Sequence, residues 1–109
     1  MQKTITPIDN TVYVEREYHS NKIEHTIDSS MKAQKDWANL NVNERVKLLK
    51  NFVNDFLSRG DVIGEELSKQ IGRPISQAVG GLNVFKERAE YMLSIAAKKL
   101  VEIEGAKDD

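Results

Sequence analysis

A glycine and a proline close together in the chain constrain its fold more than any other feature. Residues 65–75, Glu-Glu-Leu-Ser-Lys-Gln-Ile-Gly-Arg-Pro-Ile, combine a helix-like pattern with a forced stop. Gly72 can adopt the left-handed conformation that commonly ends a helix, because glycine has no Cβ to clash. Pro74 lacks the N–H that would continue a helix, yet proline is well tolerated where a new helix starts. The sequence therefore predicts a sharp corner between two helices at residues 72–74.

Apolar residues recur at intervals of three and four along four segments, which predicts four amphipathic helices. Asn21 with Glu24, and Asn41 with Glu44, have the spacing of a capping box, in which each side chain bonds to the other residue's backbone N–H. The predicted helices span about residues 22–38, 41 or 43 to 59, 61–71 and 75–103. Ser20 or Asn21 is predicted to cap the first helix and Asp61 the third. Gly60 is predicted to close the second helix and Gly105 to end the fourth.

Three details qualify the predicted helices. The first helix carries an apolar stripe that includes Ile23, Ile27 and Met31, and its charged residues are expected to face solvent. Gly80 and Gly81 each weaken the start of the fourth helix by roughly 1 kcal/mol relative to alanine. The regular part of the fourth helix is therefore expected to begin only after Gly81.

Residues 3–18 have the pattern of a β-hairpin. β-Branched and aromatic residues around Ile5 and at residues 12–14 predict two strands, and Asp9-Asn10 is a plausible turn. Two strands alone are marginally stable in water, so the hairpin needs a surface to lie against. The predicted fold class is mainly α: one segment, 1–109, with a β-hairpin at 3–18 followed by a helical region at 20–104.

Composition excludes several classes of protein. The chain has 109 residues, with 16 basic and 17 acidic side chains and no basic block, so nucleic-acid binding is not expected. It has no cysteine, which removes disulfides, thiolate metal sites and a thiol nucleophile. Neither a secretory signal nor a run long enough to span a membrane is recognised, so no membrane partner is expected. We expect a cytoplasmic protein.

No cluster of side chains predicts a catalytic or metal site. His25, Asp28 and Ser29 contain the residue types of a hydrolase triad, but they lie within about one helical turn and their side chains fan outward. His19 and His25 are the only histidines, and the nearby glutamates do not follow a zinc-ligand spacing. Catalytic, cofactor-binding and metal-binding residues are all predicted to be none.

Four other features carry a structural interpretation. Adjacent Glu65 and Glu66 point about 100° apart on a helix, so they do not form a shared acid–base site. Gly80-Gly81 is not a phosphate loop, since no strand precedes it and no Lys-Ser/Thr follows it. Trp37 falls on the apolar stripe of the first helix, as a core or interface anchor. Arg73 either pairs with a carboxylate from another segment or is an exposed basic residue near a helix C-terminus.

Several segments, taken in order, resemble the N-terminal region of aldehyde dehydrogenases. The matching segments are residues 5–9, 12–16, 33–37, 43–45, 72–74 and 85–92. The resemblance implies the helical layer that precedes the dinucleotide-binding sheet of that α/β fold. Aldehyde dehydrogenases oxidise aldehydes to carboxylic acids with NAD or NADP, using a cysteine nucleophile, a glutamate base and an asparagine-based oxyanion hole from later in the chain. None of these positions exists in this sequence, so no catalytic or cofactor residue carries over, and this chain itself holds no cofactor.

The resemblance also touches a few positions within the chain. In some members, the segment around Thr4-Ile5 and the helix end near Gln70 border a monovalent-cation site, but those members prefer an acidic residue where Gln70 stands. Val84-Phe85 corresponds to a region beside the substrate entrance. Gly81 stands where the family often has a glutamate.

Two functions follow from the sequence. The first is the N-terminal fragment of an NAD(P)-dependent aldehyde dehydrogenase, an oxidoreductase acting on aldehydes, which is not catalytically competent alone. The alternative is a stand-alone helical protein-interaction module. The expected partner is the remainder of an aldehyde dehydrogenase chain, or a second copy bound through exposed apolar helix faces.

Overall fold

The computed structural model describes residues 1–101, which form one hairpin followed by four helices. The elements are β1 (Gln2–Ile5), β2 (Val12–Arg16), α1 (Ser20–Asn39), α2 (Val42–Ser58), α3 (Gly60–Ile71) and α4 (Ile75–Lys99). The predicted fold class, mainly helical with a short N-terminal hairpin, is confirmed. The fourth helix, α4, ends at Lys99. The predicted helix end at Ile103 and the predicted stop at Gly105 lie outside the described residues.

The hairpin turns at Asp9-Asn10, as predicted. β1 and β2 are antiparallel, and their register shifts between Thr4 and Ile5. Asn10 has a φ of 62°, so an asparagine takes the left-handed position that a glycine often fills. The Asp9 carboxylate accepts hydrogen bonds from the backbone N–H of Thr11 at 3.0 Å and from its hydroxyl at 2.7 Å. These bonds lower the pKa of Asp9 and hold the turn.

The two predicted capping boxes have different outcomes. At α2, the Asn41 side chain accepts from Glu44 N–H at 3.0 Å, and Glu44 accepts from Asn41 N–H at 2.8 Å, so this box is confirmed. At α1, the prediction is wrong. The helix begins at Ser20, with extended His19 as its N-cap and no side-chain cap. Because the helix starts this early, Asn21 already lies inside the first turn and cannot act as a cap.

The predicted roles of three glycines change once α3 and α4 pack together. Gly60 does not close α2; it is the first residue of α3, and only Arg59 separates the two helices. Asp61 lies in the first turn of α3 but is not its cap. Gly80 and Gly81 do not delay α4, which is helical from Ile75. Packing of Ala78 beside Gly64 and of Leu82 beside Gly60, both glycines of α3, outweighs the low helix propensity of Gly80 and Gly81.

The corner between α3 and α4 is confirmed. Gly72 ends α3 with a φ of 72°, and its N–H donates to the Ser68 carbonyl at 3.0 Å. The Ser68 hydroxyl donates to the Arg73 carbonyl at 2.5 Å, which holds the chain as it leaves the helix. Pro74 then caps the start of α4.

The core lies where α4 packs against α2 and α3, and it is small. Its buried apolar side chains are Val53, Ala78 and Leu82. Gly64 is buried beside Ala78, and a Cβ at Gly64 would lie 3.3 Å from that of Ala78, so α3 and α4 approach closely. The radius of gyration is 19.6 Å, against about 13 Å for a compact domain of 100 residues. The molecule is therefore extended, and much of its apolar surface faces outward.

Candidate functional site

The first exposed surface is the whole of α1. Every residue of Ser20–Asn39 is exposed, although the helix carries the apolar stripe predicted from the sequence. On that stripe, Ile23 is 51% exposed, Ile27 54%, Met31 64% and Trp37 37%. Trp37 is therefore not a core residue, and its role as an interface anchor stays a prediction. We name these four residues the α1 stripe.

A second exposed surface spans α2 and α4. The Phe56 ring lies 4.7 Å from the Phe85 ring and 6.1 Å from the Phe52 ring, measured between centroids. Phe52 is 57% exposed, so this aromatic row runs from the core to the surface. Exposed side chains extend it on both helices: Leu48, Leu49, Val84 and Met92. We name this set, with Phe52 and Phe85, the α2–α4 face.

A polar cluster joins the hairpin to α3. The Tyr13 hydroxyl donates to the Glu66 carboxylate at 2.8 Å, and the Gln70 side-chain amide donates to the same carboxylate at 2.5 Å. The bond from Tyr13, then that from Gln70, lowers the pKa of Glu66, while the Glu66 carboxylate raises the pKa of Tyr13. The Lys69 ammonium lies 5.8 Å from the centre of the Tyr13 ring, within range of a cation–π contact.

Gln70 and Thr4, which the resemblance links to a cation site, make other contacts here. Gln70 is bonded to Glu66, and the Thr4 hydroxyl accepts from the Arg16 guanidinium at 3.3 Å. Within residues 1–101, no group of three or more histidine, aspartate or glutamate side chains could hold a metal ion. The cluster therefore ties the hairpin to α3 and has no ligand set of its own.

Arg73 reaches back from the corner onto α4. A Cβ at Gly81 would lie 2.9 Å from Arg73 Nη1, so the guanidinium occupies the space beside this glycine. Arg73 is exposed and makes no ion pair among the described residues. The sequence left two interpretations of Arg73 open, pairing with a carboxylate or exposure to solvent. Within residues 1–101, Arg73 is the exposed basic residue. Gly81, where the family often has a glutamate, accommodates the arginine instead.

The remaining sequence candidates do not converge. His25, Asp28 and Ser29 lie on exposed α1. Glu65 pairs with Lys69 at 2.6 Å, whereas Glu66 binds Tyr13, so the two glutamates have separate partners as predicted.

Sequence reasoning missed the Tyr13–Glu66 bond, because the two residues are 53 positions apart and no local pattern links them. The sequence analysis also did not predict a local bond: the Arg45 Nε donates to the Leu40 carbonyl at 3.0 Å and secures the link between α1 and α2.

No helix of residues 1–101 is long and apolar enough to cross a membrane. An open cleft of about 340 Å³ lies between α2 and α4. The cleft is lined by Lys50, Val53, Asn54, Glu90, Leu93 and Ser94. This lining has no histidine or thiol, and its Ser94 hydroxyl donates to the Tyr91 carbonyl at 2.6 Å.

A hairpin fastened to a helical layer, with a small core and two long apolar faces, defines a mainly helical protein whose apolar surface is largely uncovered. Residues 1–107 match the model of the aldehyde dehydrogenase family, and the chain belongs to that family. The resemblance of its segments to aldehyde dehydrogenases is thereby confirmed. Comparisons with curated proteins and with solved structures give no significant match.

Proposed function

We propose that the chain is the N-terminal segment of an NAD(P)-dependent aldehyde dehydrogenase and that its helices cover the cofactor-binding part of that enzyme. The observation that carries the proposal is the family match over residues 1–107. The substrates would be aldehydes, oxidised to carboxylic acids. NAD or NADP would be held by residues outside this sequence.

The exposed faces support a covering role. The α2–α4 face places Phe52, Met92 and their neighbours in solvent, and burying such side chains contributes about 1.5–3 kcal/mol each. The hairpin also has unpaired strand edges, which another strand can extend. The partner that we propose for these surfaces is the remainder of an aldehyde dehydrogenase chain.

The chemistry would depend on that partner. Oxidation through a thiohemiacetal needs a thiolate, and this sequence has no cysteine. Bound NAD or NADP would supply the hydride-acceptor chemistry. The contribution of residues 1–101 would be to seal the helical side of the enzyme and exclude water.

Complementation tests the proposal. The chain is co-expressed with a family aldehyde dehydrogenase from which the matching N-terminal segment has been deleted, and complexes are purified through a tag on the chain. We expect a stable complex that reduces NAD or NADP with an aldehyde, whereas the chain alone gives no absorbance rise. Turnover by the repurified chain alone, or failure to form a complex, would contradict the proposal.

A pair of variants tests whether the complex forms through the α2–α4 face. Phe52→Glu puts a charge into the α2–α4 face and is expected to abolish the complex. Asn51→Glu introduces the same charge at an exposed polar neighbour and should leave the complex intact. Equal loss with both variants would show that the α2–α4 face is not the docking surface.

The alternative is a stand-alone helical interaction module, which the exposed α1 stripe favours. A module of this kind would bind a partner without restoring dehydrogenase activity.

A further inference from the structure

We propose that two copies of this chain associate through α1, with the two α1 helices antiparallel and fully overlapped. The proposal involves only α1 and does not depend on the aldehyde dehydrogenase partner. It assigns to the α1 stripe one occupant, the α1 stripe of a second copy.

The stripe lacks a covering element in the described chain. Its Ile23, Ile27 and Met31 are each more than half exposed. Most helical stability in proteins comes from packing of an apolar face, and α1 has no buried residue. Burial of the stripe would therefore stabilise α1 as well as the pair.

One edge of the stripe carries two small hydroxyl residues, with Lys22 beside them. The Thr26 hydroxyl donates to the Lys22 carbonyl at 2.7 Å, and the Ser30 hydroxyl donates to the Thr26 carbonyl at 2.8 Å. Both hydroxyls are thus satisfied by their own helix and need no water. Two shallow grooves, of about 350 and 450 Å³, run along this part of the stripe and leave room for side chains of a second helix.

The other edge is charged, and its two halves have opposite signs. Glu24 and Asp28 lie in the first half of α1, and Lys35 lies in the second half. Glu24 and Lys35 are separated by about three helical turns, which places them on the same edge. Neither residue forms an ion pair within residues 1–101.

This pattern is complementary to itself only when one helix is reversed. Glu24 is the fifth residue of α1 from its start, and Lys35 is the fifth from its end. In a fully overlapped antiparallel pair, equivalent edges face each other, so Glu24 of each copy stands beside Lys35 of the other. Ile23 of one copy then lies near Trp37 of the second copy.

A parallel pair would lose these contacts. The edge with Glu24 and Lys35 would then face the edge with Thr26 and Ser30, so Glu24 would no longer stand beside Lys35 of the other copy. Two parallel helices would also bring like ends of their dipoles together, which is unfavourable. Charge and dipoles therefore favour the antiparallel arrangement.

Sedimentation equilibrium over a range of chain concentrations measures the association. The expected species has twice the 12.4 kDa mass of the monomer. Glu24→Lys and Lys35→Glu each replace two attractions with two repulsions, so each should weaken the dimer about tenfold or more. Mixing the two variants should restore association, because the mixed dimer has opposite charges at both contacts.

Lys32→Glu is the matched control, since it makes the same charge change on the side of α1 away from the stripe. It should leave the dissociation constant within about twofold of the parent, a change smaller than one exposed ion pair normally makes. Far-UV circular dichroism at high concentration checks that every variant keeps its helices. A parent that stays monomeric, a Lys32→Glu effect equal to that of Lys35→Glu, or no recovery on mixing would each overturn the proposal.

Cysteine cross-linking tests the orientation directly, because the parent has no cysteine to react. A mixture of Glu24→Cys and Lys35→Cys chains should form a disulfide-linked pair on mild oxidation. Either variant alone should not, since equivalent positions lie far apart in an antiparallel pair. Rapid cross-linking of either variant with itself, or no cross-linking in the mixture, would overturn the proposal.

Discussion

At the scale of single residues, Gly72 is the most constrained position in the described chain. Its φ of 72° suits glycine and strains any other residue. A Cβ at this position would also lie 2.8 Å from Pro7 Cγ in the hairpin turn. Two independent constraints, one from the backbone and one from packing, therefore require the same residue.

We expect Gly72→Val to lower the free energy of unfolding by about 1–2 kcal/mol or more, since a β-branched residue is strained in the left-handed region. Arg73→Ala should cost less, because Arg73 is exposed and makes no ion pair in residues 1–101. Urea unfolding measures both. Gly80→Ala is the control: open space surrounds Gly80, so alanine there should be neutral or stabilising. Equal midpoints for Gly72→Val and the parent would contradict the assignment.

At the scale of elements, the hairpin is held to α3 by a bond between two ionisable groups. A Glu66 pKa below its ordinary 4.5 means that this bond stabilises the fold fully above pH 4.5 and less as the pH falls below that. A Tyr13 pKa above its ordinary 10.0 means that the contribution is complete below pH 10.0 and is lost as the pH rises through the folded value. The hairpin should therefore be most firmly attached between these limits.

Tyr13→Phe tests this link. The variant should be less stable than the parent at pH 7, and the difference should shrink both at pH 3 and above pH 10. Tyr18→Phe is the matched control, because the Tyr18 hydroxyl bonds to the uncharged Gln2 side chain within the hairpin region. Urea unfolding at the three pH values provides the comparison. A Tyr13→Phe difference that does not change with pH would show that Glu66 is not its charged partner.

At the scale of the whole molecule, the helices have more apolar surface than they bury. The principal dimensions are 67 × 38 × 28 Å, and among the side chains that the structure describes only Val53, Ala78 and Leu82 are apolar and buried. Monomeric proteins rarely expose contiguous apolar patches beyond several hundred Å². The isolated chain should therefore bind a dye that fluoresces on apolar surface.

We expect the dye signal to fall when the chain binds the N-terminally deleted aldehyde dehydrogenase, because the complex covers the α2–α4 face. Phe52→Glu should bind less dye than the parent, and Asn51→Glu should bind as much. A chain that binds no dye and unfolds in one sharp transition as a monomer would instead favour a self-sufficient helical module.

Local patterns predicted the features that depend on a few neighbouring residues. The Gly72 corner, the Asn41–Glu44 box and the Asp9-Asn10 turn each require a backbone conformation or hydrogen bond that those residues favour on their own. The predictions at Gly60 and at Gly80-Gly81 were wrong because packing between α3 and α4, at Leu82 and Ala78, decides where these helices begin. The same reason hid the Tyr13–Glu66 bond from the sequence.

The sequence by itself determined four amphipathic helices, a hairpin and the corner, since periodicity, capping and turn chemistry act over short distances. Membership of the aldehyde dehydrogenase family rests instead on the match of residues 1–107 to the family. Only the tertiary structure decided which apolar faces are covered. The stripe of α1 and the buried side of α4 have similar three-and-four spacing, yet Leu82 is 9% exposed and Ile27 is 54% exposed. The difference arises because burial depends on which surfaces meet: α4 packs against α2 and α3, whereas no residue of α1 is buried.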